Sequence, residues 1–344
     1  MKFESTKIDY GPISGFLNEE SITEIMINGW DNIYIEHDGV VQRTANSFVN
    51  EVQFQDLIDD IIENCSHRQI SGSLFVDGVL PSGYRFNITL PPMSAFGPAL
   101  TIRKFRQKIY SLNELVTSGA LSHKAAHFLD EAVKARLNIV VSGGTGTGKT
   151  TILNSLCSSI PDNQRVITIQ DVPELRLANK NWISLVSTEN PQKVTSRDCL
   201  VNSLRMRPDR IIVGECRRDE TFEMLQAMNT GHEGSMTTVH AVSAHEALTR
   251  IESLMMYARF EMPIQVLRYQ ISESIDLIVQ LKRTTAGRRE ISEIIELTGM
   301  ERDIITRGDV FKRNEKGELA PTGYVPACLT KINREKTVLP ASMF

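Results

Sequence analysis

A glycine-rich loop that ends in a lysine and two threonines carries the most specific chemistry in the sequence. Residues 139–151 read Ile-Val-Val-Ser-Gly-Gly-Thr-Gly-Thr-Gly-Lys-Thr-Thr, and residues 143–150 satisfy the pattern Gly-x-x-x-x-Gly-Lys-Ser/Thr. Glycines let backbone amides converge on an anion, lysine supplies a charge for the β- and γ-phosphates, and the threonine hydroxyl suits Mg²⁺ at the positive end of a helix. An apolar strand precedes the loop and a helix-compatible segment follows it, so we predict that it binds a nucleotide with Mg²⁺. The predicted contact residues are Gly143, Gly144, Thr145, Gly146, Thr147, Gly148, Lys149, Thr150 and Thr151.

Polar residues follow three further apolar strands at the point where each strand ends. They are Asp171 and Glu174 after the strand Val166–Ile169, Glu215 after Arg210–Val213, and His240 after Thr237–Val239. Phosphoryl transfer needs carboxylates for Mg²⁺ and for the attacking water, and donors for the γ-phosphate. Glu215 is the predicted water-activating carboxylate and His240 the predicted γ-phosphate sensor, with Thr150, Asp171 and Glu215 as the predicted Mg²⁺ ligands. Each residue taken singly also fits a helix N-cap or a loop ion pair, and His232 on the preceding turn also fits a structural role.

Alternating helices and strands from Ser111 onwards supply the elements that must position these residues. The predicted helices are 111–118, 122–136, 151–158, 196–206, 220–229, 244–257 and 264–272, and the predicted strands are 139–141, 165–170, 182–186, 210–213, 235–239, 277–281 and 289–297, before a polar tail. Such alternation predicts a mostly parallel sheet with helices on both faces. Sheets of this kind bind nucleotides at the carboxyl ends of their strands.

The first 110 residues predict a smaller α/β domain with an antiparallel sheet. Its predicted strands are 22–27, 32–36, 75–79, 85–90 and 99–104, with an amphipathic helix at 52–65 and a hairpin turn at His37-Asp38-Gly39. A short basic cluster, residues 103–108, ends this domain. It fits a solvated linker, and it also fits a phosphate contact from one domain to a nucleotide held by the next.

Composition restricts the class of protein. The formal net charge of −4 disfavours a surface that coats nucleic acid. No apolar run approaches the roughly 18–20 residues of a membrane span, and residues 1–5 lack the apolar core of a signal peptide, so a cytoplasmic protein is expected. The five cysteines are scattered without a Cys-x-x-Cys pair, which predicts buried thiols and neither a zinc site nor disulfides.

The ordered motifs resemble the secretion ATPase superfamily of type II and type IV secretion systems and type IV pili. Among its branches the sequence looks most like the CpaF-type ATPases of tight-adherence (Tad, Flp) pili. The matching stretches are residues 142–151 (Walker A), 167–177 (Asp box), 204–215 (Walker B) and 228–241 (His box), with 24–29 and 100–105 in the N-terminal portion. The sequence before the N-terminal domain is expected to be shorter than in many pilus ATPases.

The resemblance implies an architecture and a set of partners. It implies an N-terminal domain (residues 1–110), a RecA-like P-loop domain (111–300) and a C-terminal tail (301–344). It further implies a homohexameric ring that hydrolyses ATP with Mg²⁺, and that drives an inner-membrane platform protein from the cytoplasmic side, without nucleic acid. Arginines that reach phosphate in the family suggest Arg85, Arg103, Arg205 and Arg207 here, and a structural ion pair remains the alternative for each.

Two positions depart from the family pattern. The Asp box usually reads Ile-Glu-Asp, and here Gln170 replaces the glutamate; a glutamine cannot take a proton, so hydrolysis could be slowed. After Glu215 the sequence is Cys216-Arg217-Arg218, where a glycine commonly follows the first arginine, so the loop is expected to differ in conformation. The alternatives to a motor ATPase are therefore a hydrolysis-poor scaffold subunit, a type IV secretion traffic ATPase, and a nucleic-acid translocase, which the acidic balance disfavours.

Overall fold

The computed structural model describes residues 8–37, 39–68, 73–104, 109–188, 193–258, 262–334 and 339–344. The described residues form two compact units. The first is drawn from residues 8–104 and Thr188, and the second from residues 109–187 and those after 192.

The first unit is a seven-stranded antiparallel sheet with helices on one face. Its strands are β1 (Ile22–Ile27), β2 (Ile33–His37), β3 (Val40–Arg43), β4 (Ser66–Arg68), β5 (Phe75–Val79), β6 (Arg85–Thr89) and β7 (Ala99–Arg103), in the order β3-β2-β1-β7-β6-β5-β4. A 3₁₀ turn (Gly11–Ile13) leads into α1 (Ser14–Asn18), and α2 (Glu51–Asn64) begins at the N-cap Asn50. Alternate strand residues such as Ile25 and Ile102 pack with Phe54 and Ile58 of α2. The predicted antiparallel sheet is confirmed, although β3 and β4 were not predicted.

Lys104 does not behave as part of a solvated basic cluster. Its side chain is buried, and its Nζ donates to the carbonyl oxygens of Phe16 at 2.7 Å and Glu19 at 2.6 Å, at the end of α1. Burial lowers the pKa of this ammonium. The lysine therefore satisfies helix-end carbonyls that would otherwise lack partners. Residues 105–108 of the predicted cluster, and Asp38 of the predicted hairpin turn, lie outside the described residues.

The second unit is built on a nine-stranded sheet, of which the first six strands in sheet order are parallel. Its strands are β8 (Ile139–Gly143), β9 (Val166–Gln170), β10 (Trp182–Val186), β11 (Arg210–Val213), β12 (Met236–Val239), β13 (Leu277–Arg283), β14 (Arg289–Glu301), β15 (Ile304–Arg313) and β16 (Leu319–Pro321). The sheet order is β10-β9-β11-β12-β8-β13-β14-β15-β16, and β14 to β16 are antiparallel. The predicted α/β fold with a mostly parallel sheet is confirmed.

Helices cover both faces of this sheet. They are α3 (Leu112–Thr117), α4 (His123–Lys134), α5 (Lys149–Cys157), α6 (Ser196–Ser203), α7 (Glu220–Asn229), α8 (Ala244–Met256), α9 (Ile264–Ser274) and α10 (Leu329–Ile332), with 3₁₀ turns at Leu204–Met206 and Ala341–Met343. Successive strand residues point to opposite faces, so Ile139 and Val141 pack with α4 and α5, whereas Val140 packs with the core of α7, α8 and α9. All five cysteines are buried free thiols, as predicted.

The prediction of a polar tail after residue 300 is wrong. Residues 304–313 form β15 beside β14, and Phe311 packs its ring 5.7 Å from that of Phe128 and 5.8 Å from that of Phe344. The buried carboxylate of Glu296 accepts hydrogen bonds from the Tyr324 hydroxyl at 2.6 Å and from the backbone N–H groups of Ala327 and Cys328. A buried carboxylate requires such donors, so this segment completes the unit.

Candidate functional site

The glycine-rich loop connects the buried strand β8 to α5, as its motif predicts. Gly146 (φ 69°) and Gly148 (φ 92°) adopt the left-handed conformation, and Gly148 is the N-cap of α5. A Cβ on Gly143 would lie 2.4 Å from the Thr147 hydroxyl and 3.1 Å from the Leu281 Cβ. The backbone can therefore close around an anion only with glycine at these positions.

Lys149 points its charge into this loop. Its Nζ lies 3.0 Å from the carbonyl oxygens of both Gly143 and Gly144, and the Thr147 hydroxyl donates to the Gly144 carbonyl at 2.9 Å. Thr145 is exposed on the loop, and Thr150 and Thr151 are partly exposed in the first turn of α5. The ammonium is thus held at the site where the β- and γ-phosphates of a bound nucleotide would lie.

His240 and Glu215 follow strands that lie next to the loop strand. β12 pairs with β8 so that Val239 stands opposite Ser142, which places His240 beside the start of the loop. β11 is the next strand, and Glu215 follows it after Gly214. Neighbouring strands are about 4.8 Å apart. The Thr238 hydroxyl donates to the Gly214 carbonyl at 2.8 Å, which fixes the two strand ends against each other.

Arg217 joins the two predicted carboxylates Glu215 and Asp171. Its Nε donates to Glu215 Oε2 at 2.8 Å, its Nη2 contacts the same oxygen, and its Nη1 lies 3.4 Å from Asp171 Oδ2. Burial alone would lower the pKa of this guanidinium, but the charges of Glu215 and Asp171 raise it above its ordinary value. Sequence reasoning noted Arg217 only as part of an unusual loop, although an arginine two residues after a predicted catalytic glutamate was the available signal.

The predicted Mg²⁺ ligands offer oxygen atoms only. Asp171 Oδ1 accepts from the Ser187 hydroxyl at 2.7 Å and from the Ser196 hydroxyl at 3.3 Å, so its second oxygen faces Arg217. Among the described residues, no group of three or more His, Cys, Asp or Glu side chains is arranged as a metal site. A hydroxyl with one or two carboxylates fits Mg²⁺, which takes its remaining ligands from water and phosphate.

Gln170 shapes the loop that carries Glu174. Its side chain is buried, and its Oε1 accepts from the backbone N–H groups of Glu174 at 2.9 Å and Leu175 at 2.7 Å. Its Nε2 is buried with no hydrogen-bond partner among the residues that the structure describes. Asn154 of α5 donates to the Glu174 carbonyl at 3.4 Å, so the loop also contacts the helix that follows the phosphate loop.

Arg205 and Arg207 are not brought to the phosphate loop of the same chain. Both precede β11, which runs parallel to β8, so they lie at the amino-terminal edge of the sheet, whereas the loop lies at the carboxyl-terminal edge. Arg207 adopts a left-handed conformation (φ 54°). His232 precedes β12 and lies at the same amino-terminal edge, so of the two histidines in the predicted His box only His240 is near the loop.

Arg85 and Arg103 belong to the first unit. They stand opposite each other on the antiparallel strands β6 and β7, and Arg103 Nε lies 3.5 Å from Glu24 Oε1. The sheet therefore holds two arginines side by side, one of them paired with a carboxylate.

Comparisons with known proteins agree on one family. The sequence profile of the family described as "Type II/IV secretion system protein" matches residues 6–307. The conjugal transfer protein TrbB of Rhizobium radiobacter is 35% identical over 82% of this chain and 86% of its own length. The type IV secretion system protein VirB11 of Bartonella quintana is 32% identical over 84% of this chain and 91% of its own length. The X-ray structure of the Legionella pneumophila ATPase DotB shares the fold, with a TM-score of 0.59 and 21% identity over 82% of this chain and 79% of that one. Within the described ranges, no helix is long and apolar enough to cross a membrane.

Proposed function

This chain belongs to the family of type II/IV secretion system proteins, and we propose that it is a Mg²⁺-dependent ATPase that converts hydrolysis into mechanical work for such a machine. The observation that carries this proposal is the row of residues along one sheet edge. The phosphate loop, His240 and Glu215 follow three strands that lie side by side in the order β11-β12-β8. Phosphoryl transfer requires this set of a phosphate cradle, a carboxylate and a γ-phosphate donor in one place.

Each residue has a distinct task in the proposed reaction. Lys149 would exchange its bonds to the Gly143 and Gly144 carbonyls for the β- and γ-phosphates. Glu215 would orient the attacking water and accept its proton, and His240 would donate to the γ-phosphate. Mg²⁺, when bound to the Thr150 hydroxyl, supplies positive charge that stabilises the phosphates during transfer. Asp171 would hold Mg²⁺ directly or through water, and Glu174 lies on the neighbouring loop.

We further propose a homohexameric ring. Arg205 and Arg207 lie at the sheet edge opposite the phosphate loop, so within one chain they are remote from its nucleotide. In a ring, a neighbouring copy could present them to that nucleotide, and arginine stabilises charge on a transferring phosphoryl group. Arg85 and Arg103 are proposed as phosphate contacts from the first unit, as in the resembled family.

The proposed partner is an inner-membrane platform protein, which the ring would drive from the cytoplasmic face without binding nucleic acid. Two machines fit this role. The motifs favour a tight-adherence pilus, whereas TrbB and VirB11 bear the names of conjugal transfer and type IV secretion proteins. A type IV secretion traffic ATPase is therefore the second candidate.

A nucleotide-binding scaffold that hardly hydrolyses ATP is the alternative activity. Gln170 suggested it, but the oxygen of this side chain is engaged by the Glu174 and Leu175 amides, and the side chain is buried. This contact supports a structural role for position 170 and removes the main reason to expect slow hydrolysis.

The test compares ATP binding, phosphate release and oligomeric state in the wild type and two variants. We expect Lys149→Ala to lose nucleotide binding, because the charge that faces the phosphates is removed. Glu215→Gln should bind Mg²⁺·ATP normally and release no phosphate. Light scattering with ATP should give a hexamer. Wild-type protein that binds ATP and releases no phosphate would establish the scaffold instead, and unchanged turnover in Glu215→Gln would remove that residue from its role.

A further inference from the structure

The β13–β14 hairpin lies directly beside the phosphate loop. β13 runs parallel to β8 with Leu281 opposite Gly143. The Leu281 Cβ and carbonyl oxygen are 3.1 Å and 3.3 Å from the position that a Cβ on Gly143 would take. Since β8 ends at Gly143 and β13 continues to Arg283, the tip of the hairpin extends past the strand end, alongside the loop.

Arg289, the first residue of β14, packs its side chain against the turn between the loop and α5. A Cβ on Gly148 would lie 3.6 Å from the Arg289 Cδ and 4.0 Å from the Thr151 Cβ. The arginine is partly buried there. Its guanidinium begins one bond beyond the Cδ, so its donors lie near the amino-terminal turn of α5, where Thr151 is located.

The order of the strands places Arg289 on the other side of the loop from the proposed hydrolytic residues. β12 and β11, which carry His240 and Glu215, lie on one side of β8, and β13 lies on the other. In a phosphate loop, the backbone amides at the start of the helix hold the α- and β-phosphates, and the lysine reaches the β- and γ-phosphates. A cation beside Gly148 and Thr151 is therefore positioned for the α-phosphate.

We propose that Arg289 binds the α-phosphate of the nucleotide held by the same chain, an inference that rests on the ATP site proposed above. Arginine presents a planar set of donors that matches phosphate oxygens, and a charge-assisted hydrogen bond is stronger than a neutral one. ATP and ADP share the α-phosphate, so Arg289 holds both nucleotides equally. The residue sets nucleotide affinity and takes no part in γ-phosphate transfer.

Arg288 provides a matched control on the same hairpin. Its side chain is 70% exposed, and its Nη2 lies 3.8 Å from the carboxylate of Glu290. Residues along a strand alternate between faces, so the ion pair of Arg288 with Glu290 lies on the face that Arg289 does not share. Removing the charge of Arg288 changes the net charge of the hairpin by the same amount as removing that of Arg289.

The experiment measures the dissociation constants of Mg²⁺·ADP and Mg²⁺·ATP by calorimetry for wild type, Arg289→Met, Arg289→Lys and Arg288→Met. Methionine keeps an apolar stem against Gly148 without the charge. We expect Arg289→Met to weaken both nucleotides by the same factor, about tenfold to hundredfold from the loss of a charged hydrogen bond. Arg289→Lys should lose less, Arg288→Met should bind as wild type, and kcat at saturating ATP should be unchanged.

Three results would overturn the inference and leave the ATPase intact. Wild-type affinity in Arg289→Met would show that the stem only supports the loop. A loss confined to ATP would place the guanidinium at the γ-phosphate, and an equal loss in Arg288→Met would reduce the effect to general charge. Failure of the wild type to bind either nucleotide would instead overturn the proposed ATP site and this inference with it.

Discussion

The Nε of Arg217 donates to Glu215 Oε2 at 2.8 Å, so the carboxylate proposed to activate water is held by an arginine two residues later in the chain. The same guanidinium reaches Asp171, 3.4 Å from its Oδ2. Two carboxylates that share one cation are neutralised only as long as it stays between them. Binding of Mg²⁺ and water at these oxygens therefore requires Arg217 to move, and the arginine competes with the metal for the same atoms.

Replacing Arg217 should make the site more attractive to divalent cations. In Arg217→Gln the carboxylates of Glu215 and Asp171 lose their shared positive partner, and Mg²⁺ can compensate their charge. We expect Mg²⁺ without nucleotide to raise the Tm of this variant more than that of the wild type. Arg218→Gln removes the same charge one residue later and serves as the control. An equal Mg²⁺ effect in all three proteins would show that the contact does not limit metal access.

Substitutions at Gln170 should separate its structural role from a catalytic one. Gln170→Leu removes the acceptor of the Glu174 and Leu175 amides, and a buried unsatisfied donor costs about 1–3 kcal/mol. We expect a lower free energy of unfolding and reduced turnover. Gln170→Glu keeps an acceptor oxygen in the same place, so its kcat should resemble that of the wild type. Steady-state phosphate release and urea unfolding measure both effects. A silent wild type beside an active Gln170→Glu would mean that the glutamine had disabled hydrolysis.

The parallel sheet and its active edge were predictable because their signals are local. Apolar runs such as Val166–Ile169 and Arg210–Val213 end at polar residues, and parallel strands bring those ends together. The same rule could have placed Arg205 and Arg207 correctly. Both precede a parallel strand, so the direction of β11 sends them to the opposite edge.

The features that sequence reasoning missed depend on partners distant in the chain. Arg217 reaches Asp171 across 46 residues, and Lys104 reaches the Phe16 carbonyl across 88. Neither contact leaves a periodic pattern. The segment after residue 300 was judged by its polar composition, but its role is set by the buried carboxylate of Glu296 on β14, which is satisfied only by residues 324–328.

Gly308 should be essential for the packing of this C-terminal segment. A Cβ on Gly308 would lie 2.1 Å from the ring of Tyr324, whose hydroxyl donates to Glu296 at 2.6 Å. We expect Gly308→Ala to displace that ring and to lower the free energy of unfolding by about 1–3 kcal/mol or more. In a Tyr324→Ala background the same change should cost much less, because the clashing ring is absent. Additive effects in the double variant, measured by urea unfolding, would show that the two residues are independent.

Asp276 should make stability depend on pH. Its Oδ2 accepts from the backbone N–H of Asn138 at 2.6 Å, just before the loop strand β8, and lies 3.4 Å from Lys331 Nζ. Burial raises the pKa of this carboxyl above its ordinary value of 3.8, although Lys331 and the Asn138 N–H act in the opposite direction. The folded state therefore holds a proton that the unfolded chain has already released. The stability that this proton contributes is fully present below the unfolded pKa and is lost as the pH rises through the folded pKa, by about 1.4 kcal/mol for each unit of the shift.

Asp276→Asn isolates this contribution, because an amide does not titrate and still offers an oxygen to the Asn138 amide. We expect the free energy of unfolding of the variant, relative to wild type, to increase as the pH rises from about 4 towards neutrality. Urea unfolding at a series of pH values gives this difference directly. A difference that stays constant with pH would mean that Asp276 titrates alike in both states. A difference that decreases with pH would mean that Lys331 outweighs burial, and that the folded state stabilises the charged carboxylate.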